Sequence, residues 1–460
     1  MKKLTAVLLS VFMLALVGCA EKKPNSQQSS QEPETLRIAT DMGSMSKWYT
    51  GKTRVKEGSH ALQQIVDHFG GTPNGLKVEL EVLPTKDGEY QSALTHMRTE
   101  IMAGNGPDVF YLSGFGSCED SLPTDTLFPN PEHAMASKFF LPLDKYIENA
   151  RFMEWDKLDQ TVMAAGQYDG SQYIMPMFYR LSMGVLHRET DAESLPSDWQ
   201  EAIASGEEDI LRMYAQAVSR STPGFRETVF GQIADNIGEE LLLDKDELFQ
   251  RTKEALALYE KYPKVPSGSK TNSGMWYINY SDYSLYYLSG TEDPPKGNTD
   301  FTFFAPKGTQ GCVTASVEHW CAVGNSTKHP EDAFFMVDVL LSEEFLSCRH
   351  FWNIKNSSSV DIPLLGYPGY GCIPVNTELL SNNKKKFKDC SIPAKQSTAL
   401  AEARGDITYA YITSNVDREL DHMFIELRDR IKQGENLTDN DIRKATDKTY
   451  STLRMMLAES

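Results

Sequence analysis

Ala103-Gly104-Asn105-Gly106-Pro107-Asp108-Val109-Phe110-Tyr111-Leu112 is the stretch that decides the fold. Before it, Tyr90 to Ala103 carries Ala93, Leu94, Met97 and Ile101 at three- and four-residue spacing, which predicts a helix. The two glycines end that helix, Pro107 bars its continuation, and the apolar Val109 to Leu112 reads as a short buried strand. Working outward, Leu76 to Leu83 alternates apolar and charged residues as a strand does and stops at Pro84. Gly70 to Gly75 separates it from a helix over Ala61 to Phe69, with Leu62, Ile65, Val66 and Phe69 on one face. Leu36 to Thr40 is the first strand. Strand, helix, strand, helix, strand in this order predicts an α/β core around a mostly parallel sheet.

Size and charge narrow the function classes. At 460 residues the chain is about three times a typical ~150-residue domain, so two or more lobes are expected. Lys+Arg 46 against Asp+Glu 64 give a net charge of −18, with no basic field to hold phosphates, which argues against nucleic acid as a partner. Aromatic residues at 10% supply enough core to exclude a disordered chain. Lys2 and Lys3 precede an unbroken apolar to weakly polar run from Leu4 to Val17, followed by Gly18 and Cys19. This is the pattern of a secretory signal over residues 1–18, too short to span a membrane comfortably. Leu16-Val17-Gly18-Cys19 resembles a bacterial lipobox, which implies lipid attachment at Cys19 and anchoring to the cell membrane on its extracytoplasmic face. Loss of Lys2 and Lys3 with the leader takes the net charge from −18 to −20. Residues 19–34, Ser/Gln/Pro-rich from Glu21 to Glu34, read as a flexible tether. Cys118, Cys312, Cys321, Cys348, Cys372 and Cys390 allow buried thiols or one or two disulfides. His319-Trp320-Cys321 and Cys348-Arg349-His350 each set two metal-capable side chains two residues apart, but no CxxC accompanies them, and no metal or cofactor is expected.

The AGNGPDVFYL segment resembles the turn before a cleft-bound strand in family 1 extracellular solute-binding proteins of bacterial ABC importers. Other segments resemble that family's in the same order: Phe140 to Asp144 (FLPLD), Tyr168 to Pro176 (YDGSQYIMP), Leu195 to Ala202 (LPSDWQEA), Gly311 to Ala333, and Gly371 to Asn376 (GCIPVN). The likeness runs from about Thr35 to the C-terminus, and its specificity lies in the order of modest motifs. Two departures stand out. Val185-Leu186-His187-Arg188 replaces a segment in which the family often has Asn, so no Asn contact carries over. Ser117 to Ala136 is longer than the pattern needs and reads either as a lid over one cleft edge or as a packing insert.

The resemblance implies a two-lobed periplasmic-binding-protein-like fold, each lobe a mostly parallel sheet flanked by helices, with a ligand cleft between them. It implies an N-terminal lobe of residues 35–173 and 308–352 and a C-terminal lobe of residues 174–307 and 353–460. The crossings fall near Tyr173 to Pro176, near Pro306 to Gly308, and between Phe351 and Gly371. It further implies a monomer that captures a sugar or oligosaccharide and delivers it to ABC transporter permease subunits without chemistry on the ligand.

Sugar rings present apolar faces and a belt of hydroxyls, so their sites combine aromatic platforms with polar side chains. The loops after the matching motifs hold both. Asp41, Trp48 and Tyr49 follow the first strand, Ser113 and Phe115 the third, and Phe178, Tyr179 and Arg180 the YDGSQYIMP segment. Trp276, Tyr277 and Asn279 lie together, as do Glu318, His319 and Trp320, and Tyr367 and Tyr370 flank a Gly-Pro turn. The expected ligand contacts are Asp41, Trp48, Ser113, Tyr179, Arg180, Trp276, Glu318, Trp320 and Tyr370. Each aromatic also has a plain reading as core. Arg180 doubles as a surface charge or a clamp on a carboxylate, which would suit a peptide or organic anion; a polyamine is a further alternative ligand. A surface glycoside hydrolase is the alternative from another class. Against it, Glu239-Glu240 and Asp244-Lys245-Asp246-Glu247 read as a charged helix surface, and no GxSxG, HExxH or P-loop is present. Asp439-Asn440-Asp441 starts like a calcium loop but lacks its Gly and closing Glu, and Thr438 with Asp441 predicts a helix start instead. Lys384-Lys385-Lys386-Phe387-Lys388 reads as solvated surface.

Overall fold

The computed structural model describes residues 34–41, 52–84, 87–113, 125–186, 194–220, 222–262, 278–279, 302–347, 350–352, 359–361, 373–381 and 404–459. Cys19, Trp48, Trp276, Tyr370 and the basic run at Lys384 lie outside these residues, as does the side chain of Glu318.

Around Ala103 the chain folds as its residues dictate. Helix α2 (Asp87–Met102) ends where the N–H of Gly104 donates to Ile101 O at 3.0 Å and that of Asn105 to Glu100 O at 2.9 Å, with Gly104 at φ +75. A left-handed residue in that position suits glycine because it carries no Cβ. Asp108, just before the strand that starts at Val109, then ties the first strand to the turn that follows Val323. Its N–H donates to Arg37 O at 2.9 Å, its Oδ2 accepts the N–H of Arg37 at 2.8 Å, and its Oδ1 accepts Thr327 Oγ1 at 2.6 Å. The Pro-Asp pair is therefore a staple between strand starts rather than a ligand contact.

Strands β1 (Thr35–Thr40), β2 (Lys77–Val82) and β3 (Val109–Ser113) run parallel, β1 in the middle, joined through α1 (Lys52–His68) and α2. Next to β3 lies β7 (Val313–Val323), antiparallel to it, and beyond it β4 (Ile174–Leu186), antiparallel to β7. Strand β4 also pairs with β5 (Ile278–Asn279), β6 (Thr302–Phe304) and β8 (Ile373–Pro374), and β7 pairs in parallel with β9 (Ile407–Ile412). The α/β class expected from sequence is borne out. The sheet is parallel over β1 to β3 and β7 with β9, and antiparallel along the long strand β4.

Two hydrophobic cores form within Thr35–Ser460. The first packs the sheet against α1, α2 and α8 (Pro330–Leu340), whose Asp332 and Asp338 are buried as acceptors for Asn74 and for the backbone N–H groups of Arg151, Phe152 and Met153. The second draws mostly on helices: α4 (Trp199–Ser205), α5 (Glu208–Arg220), α6 (Thr222–Val229), α7 (Lys245–Lys261), α9 (Asn415–Lys432) and α10 (Asp439–Glu459). Helices α4 to α7 bury their apolar stripes on one another and on α9 and α10. The first core also reaches beyond residue 173. It takes in Ile174 to Leu181, Ile373, Val375, Leu379, Ile407, Ala410 and Ile412, and β4 runs unbroken from Ile174 to Leu186.

Turn and cap chemistry explains the remaining motifs. Asp169 and Gly170, both at positive φ, turn the hairpin Gln167–Tyr168 with Ser171–Gln172. Asp198 caps α4 by accepting the N–H of Glu201 at 2.9 Å, and Trp199 is buried in the second core with its indole N–H on Glu254 at 2.8 Å. Thr438 and Asp441 cap α10 reciprocally, as the sequence predicts. The stretch Glu239 to Glu247 is not one helix surface: Glu240–Leu241 is a strand paired with Ala234–Asp235, and Asp244 caps α7. The short pairing ends before Asp244 accepts the N–H groups of Asp246 and Glu247.

Candidate functional site

Buried polar side chains gather where the sheet of the first core meets α6 and α9 of the second. Cross-strand partners share a face of a sheet, and two rows do so here. Phe178, His319 and Ser113 stand in register across β4, β7 and β3, and Arg180, Ser316 and Tyr411 across β4, β7 and β9. Asp41 follows β1 at the level of Ser113, accepting its N–H at 2.8 Å and its hydroxyl at 3.2 Å. From the second core, α6 contributes Arg226 and Glu227, and α9 contributes Asp417, Arg418 and Asp421.

Hydrogen bonds cross this seam. Ser316 donates to Glu227 Oε1 at 2.6 Å, and Arg226 Nη1 donates to the Tyr411 hydroxyl. Within the second core the same guanidinium, wholly buried, lies 3.4 Å from Asp421 Oδ2 and 3.6 Å from Asp417 Oδ1. Against burial, which would lower it, Tyr411, Asp417, Asp421 and Glu227 hold Arg226 well above its ordinary pKa. Three carboxylates around one cation leave an excess of negative charge that a dry site does not tolerate. Burial, together with Asp417 and Glu227 and against Arg226, pushes Asp421 up to about 8, so at neutral pH it carries the extra proton.

Asp41 obeys the same physics. Burial pushes its carboxyl up to about 7, opposed by the Ser113 bonds and by Arg418, and burial likewise pulls Arg418 below its usual value. His319, 4% exposed, is driven down to about 3 by burial and then by Arg180. Its neutral ring stands edge-on to Phe178 with centroids 5.8 Å apart, and its Nδ1 has no hydrogen-bond partner. The seam thus offers charged and neutral donors and acceptors in a desolvated layer.

Of the expected contacts, the structure brings Asp41, Ser113 and Arg180 to the seam. Trp320 and Tyr179 point elsewhere. Trp320, one residue from His319 and therefore on the opposite face of β7, is 2% exposed and packs against Phe140 and Phe128 at centroid distances of 5.9 and 6.2 Å. Tyr179 is fully buried beside Arg404 and Asp159, and burial raises its phenol. The described half of the Ser117 to Ala136 stretch packs: Leu127 and Phe128 enter the first core, and Asp125 takes a two-pronged contact from Arg98 at 2.8 and 2.7 Å and one from Asn415 at 2.8 Å. Cys312 and Cys321 are free thiols. Sequence reasoning missed Arg226, Glu227, Tyr411, Asp417, Arg418 and Asp421. The one local signal was Asp417 and Asp421 at i and i+4 among Val416, Leu420 and Phe424, acids on the margin of an apolar stripe.

No family model and no curated protein matches this chain. Solved structures do. A de novo designed cysteine esterase is similar at 13% identity and a TM-score of 0.50, over 92% of this chain and 98% of that one. An extracellular solute-binding protein of family 1 from Alicyclobacillus acidocaldarius is similar at 15% identity and 0.48, over 92% and 98%. A periplasmic oligogalacturonide binding protein from Yersinia enterocolitica is similar at 15% and 0.47, over 92% and 100%. At such identities a likeness concerns the fold alone, and no esterase chemistry is carried over from the first.

Proposed function

We propose that this chain is an extracytoplasmic solute-binding protein that captures a sugar or oligosaccharide in the seam between its two cores and hands it to an ABC transporter permease, doing no chemistry on the ligand. The observation that carries the reading is the seam: two separately packed cores meet through polar side chains instead of apolar ones, at the end of the sheet where β1 and β3 stop. The motif order from Thr35 onward supports the same reading. A first lobe built on the first core holds the sheet and a second lobe holds α4 to α7, α9 and α10, so rotation about β4, β7 and the Thr413-Ser414 link opens and closes the seam. Asp41, Ser113, Arg180 and His319 are the ligand contacts of this proposal from the sheet side, and Trp48, Trp276, Glu318 and Tyr370 are further contacts proposed on the sequence motifs alone. The leader pattern and the Cys19 lipobox support anchoring on the outer face of a membrane, and Cys19→Ala is expected to move the protein from the membrane fraction to the medium or periplasm.

The test is a thermal-shift screen of the full-length chain against mono- and oligosaccharides, amino acids, peptides, polyamines and organic acids, with ligands checked by mass spectrometry afterward. A native-state ligand at one hundred times its Kd stabilises by ~2.7 kcal/mol. An oligosaccharide hit without turnover is expected. A hit confined to another class overturns the sugar assignment, and cleavage of a glycan overturns the binding-protein reading.

A further inference from the structure

A recess of about 240 Å³ lies apart from the row of Asp41, Ser113, His319 and Arg180, none of which lines it. Glu132 on α3 (Pro131–Ala136) and Asp235 at the end of the short strand Ala234–Asp235 face it, with Tyr168, Tyr409, Thr408 and Ile237. Its described lining holds no Lys, Arg or His, and among the described residues neither carboxylate forms an ion pair. Two large side chains stand open to solvent at this place, Ile237 at 42% and Tyr409 at 40% exposure, although buried apolar neighbours were available to cover them. Asn236, between the lining residues Asp235 and Ile237, is 3% exposed and its Oδ1 has no partner.

Two carboxylates without a cation, Asp235 already accepting the N–H groups of Ile237 and Gly238 through Oδ1, stand with two phenol rings and an apolar edge, and together they define a chemistry. A hard divalent ion wants six to eight oxygen ligands, more than two carboxylates supply. An alkylammonium wants anionic acceptors, aromatic faces and apolar surface for its stem. We propose that this recess is a second ligand site, separate from the seam, for a small organic amine whose ammonium group meets Glu132 and Asp235 while its alkyl part lies along Tyr168, Tyr409 and Ile237. Met135, Ala165 and Ala410 of the lining belong to the first core, and Asp235 follows Ala234 of the second. Burial, with Asp417 and Asp235 adding to it against a bond from Asn236, pushes Glu132 up to about 7, the state a nearby cation would relieve. The site stands independently of what the seam binds.

Calorimetric titration of the full-length chain with n-butylammonium chloride at pH 8, with n-butanol and calcium chloride as comparison ligands, tests it. Saturable binding of n-butylammonium is expected, weakened at least tenfold in both Glu132→Gln and Asp235→Asn, and weakened at pH 6 where Glu132 holds its proton. Asp235 is exposed, so Asp235→Asn keeps the test readable if Glu132→Gln fails to fold. No saturable amine binding, equal binding of n-butanol, tighter binding of calcium, or amine affinity unchanged in Asp235→Asn would each overturn the assignment.

Discussion

Asp41→Asn isolates the electrostatics of the seam. Asp41 is 3% exposed and its carboxyl is raised from 3.8 to about 7 by burial. A carboxyl raised on folding binds more protons in the folded than in the unfolded protein between those two values. Stability therefore falls as the pH climbs from about 4 to 7, and the full penalty stands above 7. At about 1.4 kcal/mol per pH unit, a rise of about three units amounts to roughly 4 kcal/mol, an upper figure because the seam can relax. Asparagine keeps an oxygen for the N–H of Ser113 and has no charge to bury. Spread over the entropy of unfolding of a chain this size, about 4 kcal/mol corresponds to roughly 5 °C. Differential scanning calorimetry from pH 4 to 8.5 is expected to show Asp41→Asn melting close to the parent at pH 4 and several degrees above it at pH 8. If the two melting curves keep a constant separation across the range, Asp41 is not the buried titrating group described here.

Other expectations follow from the same seam and cores. Trp320→Ala removes a side chain packed on Phe128 and Phe140 and should cost about 3–5 kcal/mol in urea unfolding while leaving ligand affinity at the seam unchanged; a loss of affinity at unchanged stability would return Trp320 to the ligand. Arg226→Met strands Asp417, Asp421 and Glu227 without their cation, and a loss of about 3–5 kcal/mol, largest above pH 8, is expected by chemical denaturation. His319, lowered to about 3 against an unfolded value near 6.5, gives stability that is present above about pH 6.5 and lost as the pH falls toward 3, so its imidazole signals should not titrate between pH 5 and 8 by NMR. A midpoint near 6.5 would mean that the seam is open in solution. His319→Leu should weaken ligand binding and leave the melting temperature within a few degrees of the parent.

What residues determine through near neighbours was legible in the sequence. The helix and strand around Gly104 and Pro107 and the reciprocal cap of Thr438 with Asp441 each depend on side chains within a few positions, and each stands where its residues place it. The first strands and helices, and with them the α/β class, followed. Glu239 to Glu247 was misread because acids in a helix surface, a hairpin and a cap look alike until the chain partner is known.

The site depended on more. Asp41 and Ser113 are legible because they end strands whose pairing follows from the strand-helix-strand rule. Whether His319 or Trp320 turns toward the seam rests on the register of β7 against β3 and β4, since a shift of one residue exchanges the faces of the whole strand. The surroundings of Arg226 are further removed: Asp421 lies 195 residues along the chain and Tyr411 lies 185. No pattern in sequence brings them together, because their pairing is set by the meeting of two independently packed cores. That meeting, and the desolvation it imposes on Asp41, His319 and Asp421, exists only once the chain has folded.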